Sequence, residues 1–251
     1  MVIYMENENG AKYSILVWNT RLYEQGNKFG QNQKPIDHES VNGILNFVKG
    51  FLELNNSIAF LQEIPYVSNV DWNEHKVFGE IKRTFPDDEY TMVYNLTSKT
   101  QIMMSIVLSK KATIEKDDNG VNDNRCVSIK CNGIKFLNLH AKNGKETKKH
   151  LEEIKKKHPL YYDVILGDFN SGSYDKDNAD DAFKDNVEAY KCFIEGYIDV
   201  CESKSTTIYK TPIDHVLIKY NAKYMCLFVR IVDSIDKSDH YPIIMELTKT
   251  K

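Results

Sequence analysis

Apolar residues along this chain fall into two kinds of run that alternate. Short, β-branched or aromatic runs read as buried strands: Tyr13–Trp18, Ile58–Leu61, Ile102–Leu108, Val127–Ile129, Ile134–Leu139, Asp163–Leu166, Ile213–Ile218, Lys223–Val232 and Ile243–Leu247. Between them lie stretches of helical period. Ile44, Phe47, Val48, Phe51 and Leu52 recur at i, i+3, i+4, i+7 and i+8, which predicts an amphipathic helix lying on an apolar surface. Lys145–Lys157, stopped by His158-Pro159, and Ala179–Glu195 are further predicted helices. Asn132-Gly133, between two strand runs, predicts a hairpin turn. Hairpins mixed with strand–helix–strand crossovers predict an α/β protein on mixed sheets. No Pro/Gly/Ser-rich linker or internal repeat divides the chain, so one domain is expected over residues 1–251, with 1–11 as a disordered N-terminal segment.

Composition narrows this only slightly. Hydrophobic residues make up 41 % and charged residues 27 %, ordinary globular values that exclude a disordered or disulfide-scaffold chain. The net charge of −3 argues against a nucleic-acid coat protein but not against an enzyme that grips nucleic acid locally. Five cysteines with no C-x-x-C pair read as free thiols in a reducing compartment. No secretory signal is visible, and no apolar run reaches the ~20 residues of a membrane span. The expectation is a cytoplasmic monomer.

The chemistry sits at strand ends. Asn19 follows one strand, Glu63 another, and His140 a third; Asp168 and Asn170 follow a fourth, Asp214 and His215 open a fifth, and Asp239 and His240 precede the last. Sites in α/β sheets collect at such ends, where rigid backbone and converging loops meet. Singly, each residue is more often a turn, cap or salt-bridge residue. Together, hard oxygen ligands with few thiols favour Mg2+ or Mn2+ over zinc, and two histidines supply proton transfer or phosphate contacts. These are the parts of metal-assisted phosphoester hydrolysis.

The ordered segments Trp18-Asn19, Leu61-Gln62-Glu63, Asn138-Leu139-His140, Leu166-Gly167-Asp168-Phe169-Asn170, Ile213-Asp214-His215-Val216 and Ser238-Asp239-His240-Tyr241-Pro242 closely resemble the endonuclease/exonuclease/phosphatase (DNase I-like) superfamily. The resemblance implies a four-layer αββα sandwich of two mixed β-sheets with helices on the outer faces. It also implies roles. Glu63 would be the main metal ligand, with Asn19 beside it and Asp239 completing the metal side. Asp168 would orient or deprotonate the attacking water, or hold the metal. Asn170 would donate to a phosphate oxygen, and His140 would serve the leaving-group side as proton donor or phosphate ligand. His240, oriented by Asp214, would contact the scissile phosphate or act as general base. Arg125 stands where many members carry a phosphate-binding arginine.

The expected activity is that of a nuclease or phosphodiesterase acting on DNA or RNA by in-line water attack. The alternatives are hydrolysis of a small phosphorylated metabolite, cyclic nucleotide or lipid headgroup, or non-catalytic binding of a phosphorylated ligand. Lys142, Lys145, Lys148, Lys149, Lys155, Lys156 and Lys157 could guide a polyanion, although pairing with Glu146, Glu152 and Glu153 at helical spacing explains them slightly better. Asp175, Asp177, Asp180, Asp181 and Asp185 read best as an acidic helix start. Tyr66, Trp72, Phe78 and Tyr94 could stack a base, but core packing is the better reading for most.

Overall fold

The computed structural model describes residues 12–22, 36–54, 56–65, 76–95, 101–172, 181–201 and 204–250, the side chains of 181–183 excepted. The expected N-terminal segment, Tyr66, Trp72, Asp175, Asp177 and Asp180 lie outside these residues, as does the side chain of Asp181.

Two six-stranded mixed sheets form the centre. The first contains β1 (Lys12–Asn19), β2 (Ser57–Pro65), β3 (Tyr90–Tyr94), β4 (Gln101–Leu108), β11 (Tyr224–Ile231) and β12 (Ile243–Lys249), in the order β11-β12-β1-β2-β4-β3. The second contains β5 (Glu115–Lys116), β6 (Cys126–Cys131), β7 (Ile134–His140), β8 (Val164–Asp168), β9 (Tyr197–Asp199) and β10 (Asp214–Lys219), in the order β5-β6-β7-β8-β10-β9. Each sheet has a single parallel pair at its middle, β1–β2 in one and β7–β8 in the other. Parallel neighbours need a crossover. Helix α1 (His38–Leu52) supplies the first crossover, and α3 (Thr147–Lys157) the second.

Strand alternation builds the layers. Ile15, Val17, Ile58 and Phe60 of the first sheet meet Ile134, Phe136, Val164 and Leu166 of the second in one buried cluster. The rings of Phe60 and Phe136 touch across this seam at 5.2 Å between centroids. The intervening residues Leu16, Trp18, Ala59 and Leu61 face outward under α1 and α2 (Lys76–Thr84), whereas Leu137, Leu139 and Ile165 face α3 and α4 (Asp181–Phe193). Because both faces of the central strands are covered, their sequences are continuous apolar runs rather than alternating ones. The order is therefore helices, sheet, sheet, helices, the four-layer arrangement expected. Met103, Met104, Phe78 and Tyr94 all pack with core residues.

Local rules account for most boundaries. Asp37 caps α1 by accepting from the amides of Glu39 and Ser40, both at 3.1 Å. Asn132 and Gly133 have φ of 49° and 83°, the left-handed pair that a tight hairpin demands. Gly167 has φ of 129°, and an added Cβ would lie 2.0 Å from the Leu139 carbonyl oxygen. Only glycine lets β8 approach β7 this closely. All five cysteines are free. Among the described residues, no helix is long and apolar enough to cross a membrane.

Two glycine substitutions test this packing in opposite directions. Gly167→Ala should lose about 2–4 kcal/mol in urea unfolding, from steric clash and backbone strain. Gly50→Ala, on an open face of α1 where a Cβ meets nothing within 4 Å, should gain about 0.5–1 kcal/mol. A neutral Gly167→Ala would contradict the close approach of β7 and β8.

Candidate active site at the ends of the central strands

The four central strands end at one edge of the sandwich, and that edge carries the polar residues. Asn19 ends β1, Glu63 lies near the end of β2, His140 ends β7 and Asp168 ends β8. His140 and Asp168 are register partners across the parallel pair, and Asp214, the first residue of β10, is the partner of Asp168 on its other side. The loop before β12 brings Asp239 and His240 to the same edge. This loop is pinned by the Trp18 indole, which donates to the His240 carbonyl at 2.9 Å, and by the Ser238 hydroxyl, which donates to the Asn19 carbonyl at 2.8 Å.

Asp168 is the hub. Two trios converge with ligand atoms within 4.8 Å of one another: Glu63, His140 and Asp168, and Asp168, Asp214 and His240. The Asn19 amide donates to Glu63 Oε1 at 3.2 Å and to Asp168 Oδ2 at 3.0 Å, tying the two sheets together. His140 Nε2 lies 3.5 Å from Glu63 Oε1 and 3.6 Å from Asp168 Oδ2. His240 Nδ1 lies 2.8 Å from Asp214 Oδ2, while its Nε2 is 3.9 Å from Asp168 Oδ2. The Asn170 backbone amide donates to Asp168 Oδ1 at 2.8 Å, and its side-chain amide donates to the Ala141 carbonyl at 2.8 Å.

The remaining two expected residues stand one contact away. Asp239 is held by Arg21 at 2.5 Å and acts on Glu63 and His240 through its charge. Arg125 lies against the His140 ring, 3.1 Å from Nδ1. Arg21, Trp18 and Ser238 received no role from the sequence. Trp18 and Ser238 lie inside resembling segments, but Arg21 carries no pattern that marks it.

Backbone geometry aims the acid on β2. Glu63 has φ of 56° and sits at a bulge where the β2–β4 register shifts between Leu61 and Ile64. A left-handed glutamate costs about 1–3 kcal/mol, and bulges of this kind re-aim side chains beside functional sites.

Electrostatics separates the two histidines. Burial, reinforced by Arg125, holds His140 well below the usual imidazole range, so it is neutral at pH 7. Burial opposes the charge on His240 too, but the attraction and hydrogen bond of Asp214, with Asp168 and Asp239 behind, raise it to about 10. Burial raises Glu63 to about 7, helped by the charges of Asp168 and Asp239 and opposed by the Asn19 hydrogen bond and by His240. Asp168 is also raised, first by burial and then by the charge of Asp214. Acids held in this unfavourable state are a natural seat for a divalent cation.

A third trio, Asp123, Cys126 and His150, converges elsewhere. There the Lys142 amide donates to His150 Nδ1 at 3.2 Å, which leaves the ring proton on Nε2. Neither nitrogen then offers a free lone pair to a metal ion.

With this geometry in view, the comparisons with known proteins are specific about fold. The chain carries the fold of the endonuclease/exonuclease/phosphatase superfamily. It superposes on an endonuclease/exonuclease/phosphatase from Beutenbergia cavernae with a TM-score of 0.65 and 12 % identity, over 95 % of this chain and 72 % of that one. The endonuclease domain of TRAS1, a telomere-specific non-LTR retrotransposon, gives 0.63 and 14 %, over 96 % and 100 %. An AP endonuclease from Archaeoglobus fulgidus gives 0.60 and 19 %, over 93 % and 98 %. Compared by sequence, the chain matches no family model and no curated protein.

The acids yield a pH prediction. A carboxyl whose pKa is raised by folding stabilises the protein at low pH, and that contribution is lost as pH rises through the folded value. For Glu63 the loss runs from the ordinary 4.5 to about 7. A bound cation reverses it by displacing the proton. Mn2+ should therefore raise Tm by about 5–10 °C at pH 8 and far less at pH 5 in thermal-shift assays. An equal shift at both would contradict metal seating on these acids.

Proposed function

We propose that this chain is a divalent-metal-dependent phosphoester hydrolase that cleaves DNA or RNA by in-line attack of water. The observation that carries this reading is the convergence of the two trios on Asp168 at the ends of strands from both sheets. The retrotransposon endonuclease and AP endonuclease among similar structures support a nucleic-acid substrate.

Glu63 and Asn19, with Asp239 alongside, would hold Mg2+ or Mn2+. The donor set fits, since it is all oxygen and burial leaves Glu63 poorly disposed to carry its charge alone. When bound, the ion would neutralise charge on the phosphate and leaving oxygens. Asp168, fixed by the Asn170 and Asn19 amides, orients the attacking water, and its raised basicity suits it to take the proton. His240 begins as an imidazolium, which suits contact with the scissile phosphate better than the part of initial base. Neutral His140 offers a hydrogen bond to the leaving-group side, and Arg125 fixes its ring. Asn170 spends one amide hydrogen on Ala141 and has a second for a phosphate oxygen.

One observation favours a smaller phosphoester as second reading. Several of the lysines that could guide a polyanion are paired with carboxylates, the reading the sequence slightly favoured: Lys142 with Glu146, Lys149 with Glu153, Lys148 with Asp185 and Lys155 with Glu195. Such pairs weaken a guiding field beside the site.

A substrate panel decides between these readings: plasmid, single-stranded DNA, RNA, cyclic dinucleotide, inositol phosphate and sphingomyelin, each with Mg2+, Mn2+ or EDTA. We expect metal-dependent cleavage of a nucleic acid, with His240→Ala and Asp168→Asn each lowering kcat by about 10²–10⁴-fold in folded protein. Glu63→Gln should raise the metal concentration needed for half-maximal rate. Full activity of folded His240→Ala would overturn the assignment.

A further inference from the structure

Strand β10 carries a histidine–aspartate contact on each of its faces. Asp214 points into the candidate site toward His240. The next residue, His215, points to the opposite face, as strand alternation requires, and is 1 % exposed. Its Nδ1 lies 2.8 Å from Asp199 Oδ2, at the end of β9, and its Nε2 donates to the Ser171 carbonyl at 2.9 Å. Tyr190 of α4 donates to the same Asp199 oxygen at 2.7 Å, and the Cys201 amide donates to the other at 2.9 Å. The imidazole is wedged edge-on against Phe169, at 5.3 Å between centroids, and against the face of Tyr190, at 4.5 Å.

The loop that His215 holds is the one that carries Asp168 and Asn170. Asn170 has φ of 48°, the left-handed turn that asparagine tolerates. Two residues further on, a Cβ at Gly172 would lie 3.0 Å from His215 Nε2 and 2.2 Å from the Pro212 carbonyl oxygen, so the chain passes directly over the ring. Ser171 is anchored a second time, through its hydroxyl, on the Asn186 carbonyl at 2.8 Å. A continuous path therefore runs from Asp199 through His215 to the Ser171 carbonyl. It continues through the Asn170 peptide, whose amide fixes Asp168 Oδ1.

We propose that His215, backed by Asp199, is a positioning residue that sets the orientation of the Asp168 carboxylate and of Asn170 by clamping the Ser171 carbonyl from behind the sheet. This rests on the phosphoesterase reading for its effect on turnover, but not for its effect on the loop.

Two conservative variants separate the clamp from simple packing. His215→Phe keeps the ring's volume and its stacking but removes both polar contacts. His215→Gln places a side-chain amide where Nε2 stood. The readouts are amide hydrogen exchange at Asn170, and kcat and KM on whichever substrate the panel identifies, with Asp168→Asn as reference. We expect His215→Phe to speed exchange at Asn170 by about tenfold or more and to lower kcat by about 10–100-fold with KM little changed. His215→Gln should recover most of both. Should His215→Phe fail to fold, Asp199→Asn carries the test, with a smaller change in the same direction. Unchanged Asn170 exchange in a folded variant, or equal losses in Phe and Gln, would overturn the clamp. Wild-type activity in Asp168→Asn would instead overturn the phosphoesterase reading, leaving the exchange measurement to judge the clamp alone.

Discussion

The edge that carries the candidate site depends on one polar contact buried between two apolar sheets. Gln62 of the first sheet donates to Asn138 of the second at 2.7 Å, and Asn138 in turn donates to the Leu61 and Met104 carbonyls. Apolar faces alone allow one sheet to slide on the other with little directional penalty. An amide N–H without a partner in that seam would cost about 1–3 kcal/mol, so these donor contacts fix the relative register. Glu63 directly follows Gln62, and His140 comes two residues after Asn138. The same pin therefore brings Glu63 and His140 to within 3.5 Å. Gly167 lies beside it, and an added Cβ would sit 3.2 Å from the Gln62 amide.

Once registered, the edge holds groups in states that water would not favour. A glutamate adopts a left-handed backbone, two acids are pushed toward protonation by burial, and of two histidines one carboxylate apart one is neutral and the other charged. The difference between the histidines comes from their neighbours: Asp214 on one ring, Arg125 on the other. Pairs of titratable groups driven apart in this way divide the labour of a reaction without any difference in residue type.

Much of this was legible in the sequence because the central strands are buried on both sides and so read as unbroken apolar runs. The polar residue at the end of each run stood out for the same reason. Short elements escaped. β5 has two residues and β9 three, too few to show a period, and α2 is only nine residues long, with Val77 and Ile81 as its one buried apolar pair. The site residues could be named but not their contacts. That Asn170 spends an amide hydrogen on Ala141, or that Asp239 is held by Arg21, follows from loop geometry that no spacing encodes. His215 was visible only as the companion of Asp214; its partners Asp199 and Ser171 are 16 and 44 residues distant.

The strand order also bears on how the chain is made. β1 is synthesised early, yet one of its edges pairs with β12, and the loop before β12 delivers Asp239 and His240. A ribosome-bound intermediate holding β1 through β10 would already display Glu63, His140 and Asp168, but neither His240 nor the strand that covers β1. The candidate site is thus complete only once the final strands are in place, because the loop before β12 delivers two of its residues.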